Sequence, residues 1–242
     1  MAFTAPKEIY NGKINSITIG KGETAIEIGG AEVFPQYSFD GNAGKPVAVA
    51  LEINDIAPTD WAEALNNVYG SVYDNPVEWA LYCQNELEAQ ALCLRLQGTH
   101  PDQQNRSPEE AAKTVREVLE AIKVPLIIVG ANHIEKDAEV IKVCAEAAAG
   151  YHCLVGKAQE KNHKTIAAAA MAYDHVLLAL SNLDINLAKL GLVRDPRRLL
   201  LSSKRRWYSR SIRSGSLNNE RTSSHTAASR RSVRTCLLSQ IR

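Results

Sequence analysis

The chain has 242 residues, of which 45% are hydrophobic and 23% charged, a composition typical of a soluble globular protein. Its net charge of +1 conceals an asymmetry, because residues 191–242 contain 13 of the 28 Lys and Arg residues and only two of the 27 Asp and Glu residues. An acidic body therefore precedes a basic tail. No apolar run approaches the length of a membrane span, and residues 1–8 have no signal-peptide core, so we expect a cytoplasmic protein without a membrane partner.

The five cysteines form no Cys-x-x-Cys pair and no even framework. This spacing predicts neither a zinc site nor a disulfide scaffold. An iron–sulfur cluster needs several closely spaced thiolates, which are missing, so we expect no cluster in this chain.

The chain begins with a predicted β-hairpin. Residues 13–20 and 24–30 alternate Ile with polar residues around Lys21-Gly22-Glu23. Residues 33–45, which include Pro35, Gly41 and Gly44, are predicted to form a loop. Residues 1–45 are thus interpreted as a hairpin and a lead-in segment.

From residue 46 onward, strands alternate with helices. Strands are predicted at 47–53, 92–97, 126–129, 151–155 and 175–180. Helices are predicted at 75–87, 108–122, 135–149 and 166–173. This alternation predicts parallel strands joined by right-handed crossovers. Because no glycine-rich dinucleotide-binding fingerprint follows the first strand, we favour over a Rossmann fold an α/β fold that is an incomplete TIM (β/α) barrel of about five parallel strands over residues 46–190.

Polar or small residues follow each predicted strand, where the loops of a barrel carry function. Asn132 is notable because it ends a fully apolar strand and offers both an amide donor and a carbonyl acceptor. The residues at these strand ends are Asn54, Asp55, Gln97, Gly98, Asn132, His133, Lys157, Gln159, Ser181, Asp184 and Asn186.

A charged pair is predicted on the first two barrel strands. In residues 92–97 the three Leu side chains share one face, and Arg95 lies on the other. Glu52 occupies the corresponding face of the preceding strand. If the Leu face meets the helices, Glu52 and Arg95 both project inward, and we expect a shielded ion pair with a structural role or a direct role at a ligand.

Several segments of the chain, by their order and spacing, resemble one known family, the small (delta) subunit of the corrinoid iron–sulfur protein of the acetyl-CoA decarbonylase/synthase system. The resemblance covers about residues 10–189. The segments are Glu52-Ile53-Asn54-Asp55-Ile56, Asp60-Trp61, Asn75-Pro76 with Trp79-Ala80 and Cys83, Leu94-Arg95-Leu96-Gln97-Gly98-Thr99-His100-Pro101-Asp102, Val124-Pro125-Leu126-Ile127-Ile128-Val129-Gly130, Glu135-Lys136-Asp137, Ala147-Ala148-Ala149-Gly150 and Leu183-Asp184-Ile185-Asn186.

The resemblance implies a TIM barrel that pairs with a large subunit and helps to hold a cobamide between the two proteins. The cobamide carries a methyl group from a methyl-pterin, through a methyltransferase, to acetyl-CoA synthase in the reductive acetyl-CoA (Wood–Ljungdahl) pathway of anaerobes. The small subunit is then a carrier component that catalyses neither transfer, and the iron–sulfur cluster belongs to the large subunit. The cofactor-binding positions implied by the resemblance are Asp55, Gln97, Gly98, Asn132, Gln159 and Asp184, with no catalytic or metal-binding residue.

The resemblance ends after about residue 189, where an Arg/Ser-rich run extends to Arg242. Such a composition predicts disorder for residues 191–242. The abrupt change suggests a truncated or frameshifted barrel, so we expect impaired cobamide binding.

Two other functions remain open at this stage. A pterin-dependent methyltransferase barrel would use Asp55, Asn132 and Asn186 to hold a pterin. A nucleic-acid arm is the other interpretation of the basic tail, but only Trp207 and Tyr208 could stack on bases, and we expect no selected nucleic-acid partner.

Overall fold

The computed structural model describes residues 12–34 and 37–181, and the backbone of two further segments, 199–203 and 235–237. The strands are β1 (Ile17–Ile19), β2 (Ile26–Ile28), β3 (Val49–Asn54), β4 (Ala91–Arg95), β5 (Leu126–Val129), β6 (Leu154–Ala158), β7 (Val176–Ser181), β8 (Leu199–Ser203) and β9 (Thr235–Leu237). The helices are α1 (Glu63–Tyr69), α2 (Pro76–Asn85), α3 (Pro108–Ala121), α4 (Ile134–Ala147) and α5 (His163–Ala172).

The main sheet has the strand order β8-β7-β6-β5-β4-β3-β9. Strands β3 to β8 pair in parallel, and β9 pairs antiparallel with β3. The predicted α/β class is confirmed, and the five predicted barrel strands correspond to β3 to β7. Among the described residues the sheet is open, because β8 and β9 lie at its two edges and do not pair with each other, so it does not form a closed barrel.

The helices cover one face of the sheet. The core on this side combines Leu92, Leu94 and Leu96 of the second barrel strand and its end with buried residues of α2, α3 and α4. The predicted direction of the three Leu side chains is therefore confirmed. The N-termini of these helices are fixed locally, as in α3, where Ser107 and Glu110 form a capping box.

The predicted hairpin exists as β1 and β2, which pair antiparallel with Ile17 opposite Ile28. It covers the other face of the main sheet, where Ile19 and Ile28 join a second core with Ala50, Cys93 and Ile127. The Gly20 N–H donates to the carbonyl of His152 at 2.8 Å, just before β6. The hairpin therefore lies against the amino ends of the parallel strands.

Two features differ from the sequence-based prediction. Helix α1 lies between the strand predicted at 47–53 and the helix predicted at 75–87, where the sequence predicts no helix. Two short segments of the tail, residues 199–203 and 235–237, add β8 and β9 to the edges of the sheet. The rest of the tail, for which disorder is predicted, lies outside the described residues. None of the helices in the described part of the chain is long and apolar enough to span a membrane.

Candidate functional site

The loops after β3, β4, β5 and β6 lie at the same edge of the sheet, because these strands are parallel. Residues 54–55, 97–100, 131–133 and 157–159 form this edge, which we call the strand-end surface. The predicted site residues that it contains are Asp55, Gln97, Gly98, Asn132 and Gln159. The sixth, Asp184, lies outside the described residues, as does Asn186.

The predicted ion pair lies on the inner face of the sheet, next to the strand-end surface. Arg95 Nη2 donates to Glu52 Oε2 at 2.9 Å. The Glu52 side chain is 11% exposed and that of Arg95 22%, so the pair is largely shielded from water. This geometry confirms the predicted pairing. The inner face is thus apolar under the hairpin and becomes polar towards the carboxyl ends of the strands.

The Asp55 side chain binds the loop that follows β4 and does not face the strand-end surface. Its Oδ1 accepts the Gly98 N–H at 2.8 Å, and its side chain is fully buried. Arg106 lies beside it, with Nη1 3.8 Å from Asp55 Oδ2 and 3.2 Å from the Asp55 carbonyl oxygen. Burial raises the pKa of Asp55, and the Gly98 N–H and the Arg106 charge oppose this rise. Two predicted site residues, Asp55 and Gly98, are therefore engaged with each other.

Gly98 is required at this point of the loop. A Cβ added to it would lie 2.8 Å from Asp55 Oδ2 and 2.8 Å from Ile56 Cγ2. Both distances are shorter than a carbon atom tolerates, so a larger residue would displace the buried carboxylate.

A second buried carboxylate fixes the loop after β5. Asp137 of α4 accepts the N–H groups of Ala131 at 2.9 Å and Asn132 at 3.0 Å. Burial raises the pKa of Asp137, and these two N–H groups oppose the rise. Asn132 is held with a positive φ of 72°, a conformation that Asn tolerates better than most residues. Its Oδ1 accepts from Lys157 Nζ at 2.8 Å, which joins the ends of β5 and β6.

Two half-buried Gln side chains complete the predicted set. They are Gln97, which follows β4, and Gln159, which follows β6. The backbone N–H of Gln159 donates to Asn162 Oδ1 at 2.7 Å, which fixes the start of the loop before α5. Both predicted residues therefore lie at the strand-end surface.

Three residues of the strand-end surface were not in the predicted set. Asn54 is 8% exposed, and its buried Oδ1 has no hydrogen-bond partner among the described residues. The rings of His100 and His133 meet edge to face with centroids 5.9 Å apart. The sequence placed Asn54 and His133 at strand ends, but the family resemblance did not include them among the cofactor-binding positions.

The described part of the strand-end surface presents neutral amides and the Lys157 ammonium group. The carboxylates of Asp55 and Asp137 are buried and accept backbone N–H groups. No cluster of three or more His, Cys, Asp or Glu side chains in residues 12–34 and 37–181 is arranged to hold a metal ion. Cys83, Cys93, Cys144 and Cys153, whose side chains the structure describes, are buried thiols outside any disulfide bond.

The fold and this surface define a class: an α/β protein whose parallel strands end in a polar, amide-lined surface. A family model described as CO dehydrogenase/acetyl-CoA synthase delta subunit matches residues 16–195. The acetyl-CoA decarbonylase/synthase complex subunit delta of Methanocaldococcus jannaschii is 34% identical over 191 residues, which are 76% of this chain and 47% of the relative. The same subunit of Methanothermobacter thermautotrophicus is 31% identical over 189 residues, which are 77% of this chain and 48% of the relative.

Subunit delta 1 of Methanosarcina thermophila is 36% identical over 165 residues, which are 68% of this chain and 37% of that relative. The chain belongs to the family of CO dehydrogenase/acetyl-CoA synthase delta subunits. The family resemblance found in the sequence is thereby confirmed. The chain spans about half the length of the curated relatives it matches.

Proposed function

We propose that this chain acts as the small subunit of a corrinoid iron–sulfur methyl carrier and that its strand-end surface forms one wall of a cobamide site shared with a large subunit. The observation that carries the proposal is the family match over residues 16–195, which includes every described loop of this surface. A bound cobamide supplies a cobalt centre that accepts and gives up a methyl group. The methyltransferase that loads it and the acetyl-CoA synthase that receives the methyl group would be transient partners.

The donor set of the surface fits such a ligand. A corrinoid is a broad ring edged with neutral amide groups, which need both hydrogen-bond donors and acceptors. Gln97 and Gln159 offer half-buried amides, and Asn132 is held in place by Asp137 and Lys157. The two described carboxylates, Asp55 and Asp137, are buried and each accepts at least one backbone N–H, which supports a role in holding the ligand without catalysing its chemistry.

The position of the hairpin supports binding of the ligand from the side of the strand-end surface alone. Ile19 and Ile28 fill the inner face at the amino ends of the strands, and the Glu52–Arg95 pair lies between this apolar layer and the strand-end surface. A large ligand at the strand-end surface would therefore lie against packed side chains, which leave no space for it on the inner face. We propose that the large subunit covers the exposed side of the ligand and that the complex works in the cytoplasm, where buried thiols stay reduced.

The alternative of a pterin-dependent methyltransferase has less support. It would use Asp55 to hold the pterin, and the structure places this carboxylate in full burial against Gly98 and Arg106. Binding of methyl-tetrahydrofolate by the isolated chain would favour that alternative.

The proposal is tested by purifying the full chain with its large subunit, adding hydroxocobalamin and measuring the cobamide retained per complex from its absorbance. We expect more cobamide than the large subunit holds alone. Equal retention with and without this chain would contradict the proposal. The Arg/Ser-rich tail leads us to expect impaired binding, hence less than one cobamide per complex, and full occupancy would contradict that separate prediction.

A further inference from the structure

We propose that Asn54 is a ligand-binding residue of the strand-end surface, which accepts a hydrogen bond at Oδ1 from an amide N–H on the edge of the cobamide. The inference rests on the proposed function and deepens it. It also changes the assignment made from the sequence, which selected the neighbouring Asp55.

The first step is the direction of the side chain. On β3, Leu51 and Ile53 pack into the core beneath the helices. Ala50 belongs to the opposite core, and Glu52 pairs with Arg95 on that same inner face. Because strand residues alternate, Asn54 lies on the inner face, whereas Asp55 turns to the side of Gly98 and Arg106.

The second step is the position of Asn54 along the sheet. It is the last residue of β3 and pairs in register with Arg95, the last residue of β4. Asn54 therefore lies one level nearer to the strand-end surface than Glu52. No other residue of β3 brings a polar group to the inner face at that level.

The third step is the unused acceptor. Asn54 Oδ1 is buried and has no hydrogen-bond partner among the described residues, in a residue that is 8% exposed. A buried amide oxygen without a hydrogen-bond partner lowers the stability of the folded chain, unless a ligand or a water molecule donates a hydrogen bond to it. Asn162 shows the contrast: it is 4% exposed, its Oδ1 accepts the Gln159 N–H, and its Nδ2 donates to the Ile134 carbonyl.

The fourth step is the chemistry of the partner. A carboxylate ligand would find an acceptor at Oδ1 and would be repelled, whereas an amide N–H can donate to it. The ionic partner of the nearby Arg95 is Glu52, so the inner face here is charge-neutral and suits a neutral group. The edge of a corrinoid carries neutral amides.

The test compares Asn54→Leu with Asn162→Leu in the full chain, alone and in complex with the large subunit. Leu nearly matches Asn in shape and removes the amide. Thermal unfolding of the chain without cobamide gives Tm, and titration of the complex with hydroxocobalamin gives Kd.

We expect Asn54→Leu to leave Tm unchanged or to raise it, because it replaces an unsatisfied buried acceptor with an apolar group. The same change should weaken hydroxocobalamin binding by about three- to tenfold, the loss of one hydrogen bond. Asn162→Leu should lower Tm, because it removes an acceptor and a donor that the fold uses.

Two results would overturn the inference. One is a Kd of Asn54→Leu within about twofold of the unchanged complex. The other is a fall in Tm similar to that of Asn162→Leu, which would show that a water molecule within the fold satisfies Oδ1. If the unchanged complex retains no more cobamide than the large subunit alone, the proposed function fails as well, whereas a failure confined to Asn54→Leu leaves it intact.

Discussion

At the scale of single residues, the face of a strand on which a polar side chain lies determines its partners. Asp55 and Asn54 are neighbours, yet Asp55 accepts the Gly98 N–H, whereas Asn54 Oδ1 has no hydrogen-bond partner among the described residues. The sequence predicted a site at these strand ends, because polar residues follow apolar strands. The family resemblance implied Asp55 as a cofactor-binding position and did not include Asn54. Only the partner of each side chain, which depends on a loop 43 positions away, distinguishes the two.

The Glu52–Arg95 pair was predictable from alternation alone, and its removal is a test at this scale. We expect Arg95→Met to lower the free energy of unfolding by about 3 kcal/mol, because it leaves the shielded Glu52 carboxylate without its cation. Urea unfolding followed by circular dichroism measures this loss.

The control for this prediction is the double variant Glu52→Gln/Arg95→Met. It removes both charges, so it should recover much of the stability that Arg95→Met loses. If the single and double variants lose equal stability, the effect comes from packing, and the pair has no electrostatic role in the fold.

At the scale of elements, the sequence predicted most strands and helices but missed α1. Its segment contains two consecutive Asn residues, which favour turns. The helix is held by aromatic packing, with the ring of Tyr69 5.6 Å from that of Trp61 and 5.9 Å from that of Trp79. Such contacts come from α2 and from the loop before α1. The sequence pattern within α1 itself does not predict these contacts.

His175 joins three elements and makes their packing sensitive to pH. It lies just before β7 and is 1% exposed. Its Nδ1 accepts the Cys153 N–H at 3.1 Å before β6, so Nε2 carries the proton and donates to the Ala145 carbonyl of α4 at 2.8 Å. Burial lowers the pKa of His175, and the Ala145 carbonyl opposes this effect. Protonation of Nδ1 would break the bond from Cys153.

The sign of the pH dependence follows from this lowered pKa. As the pH falls through the ordinary His value of about 6.5, the unfolded chain binds the proton before the folded one. The free energy of unfolding should therefore fall by up to about 1.4 kcal/mol per pH unit between the unfolded and folded pKa values, and be unaffected by this group at higher pH. Urea unfolding at several pH values between 5.5 and 7.5 measures the slope.

The matched variants are His175→Asn and His163→Asn. His175→Asn should be less stable at every pH but should have a flatter slope, whereas His163→Asn, in the first turn of α5, should keep the slope of the unchanged chain. Parallel slopes for the unchanged chain and His175→Asn would show that this residue does not link folding to pH.

At the scale of the whole molecule, the hairpin was predicted but its place was not. The alternation in β1 and β2 shows that one side is apolar, and it does not show which surface covers that side. The sequence likewise does not show what covers the inner face of the sheet, because Ala50, Cys93 and Ile127 would fit any hydrophobic core. The structure shows that the apolar side of the hairpin packs on this inner face, at the amino ends of the strands.

This arrangement separates stability from ligand binding across the molecule, which leads to a prediction. Ile28 is 5% exposed and packs into the inner core, so Ile28→Ala should lower the free energy of unfolding by about 2–4 kcal/mol through loss of buried methyl groups. Ile26, on the same strand, is only half-buried, so Ile26→Ala should cost less. Because the strand-end surface lies at the opposite end of the strands, neither variant should change the Kd for hydroxocobalamin in complexes that remain folded. Urea unfolding and the absorbance titration measure the two quantities separately. Weaker hydroxocobalamin binding by Ile28→Ala, or equal losses of stability in the two variants, would contradict the conclusion that the hairpin stabilises the inner core at a distance from the site.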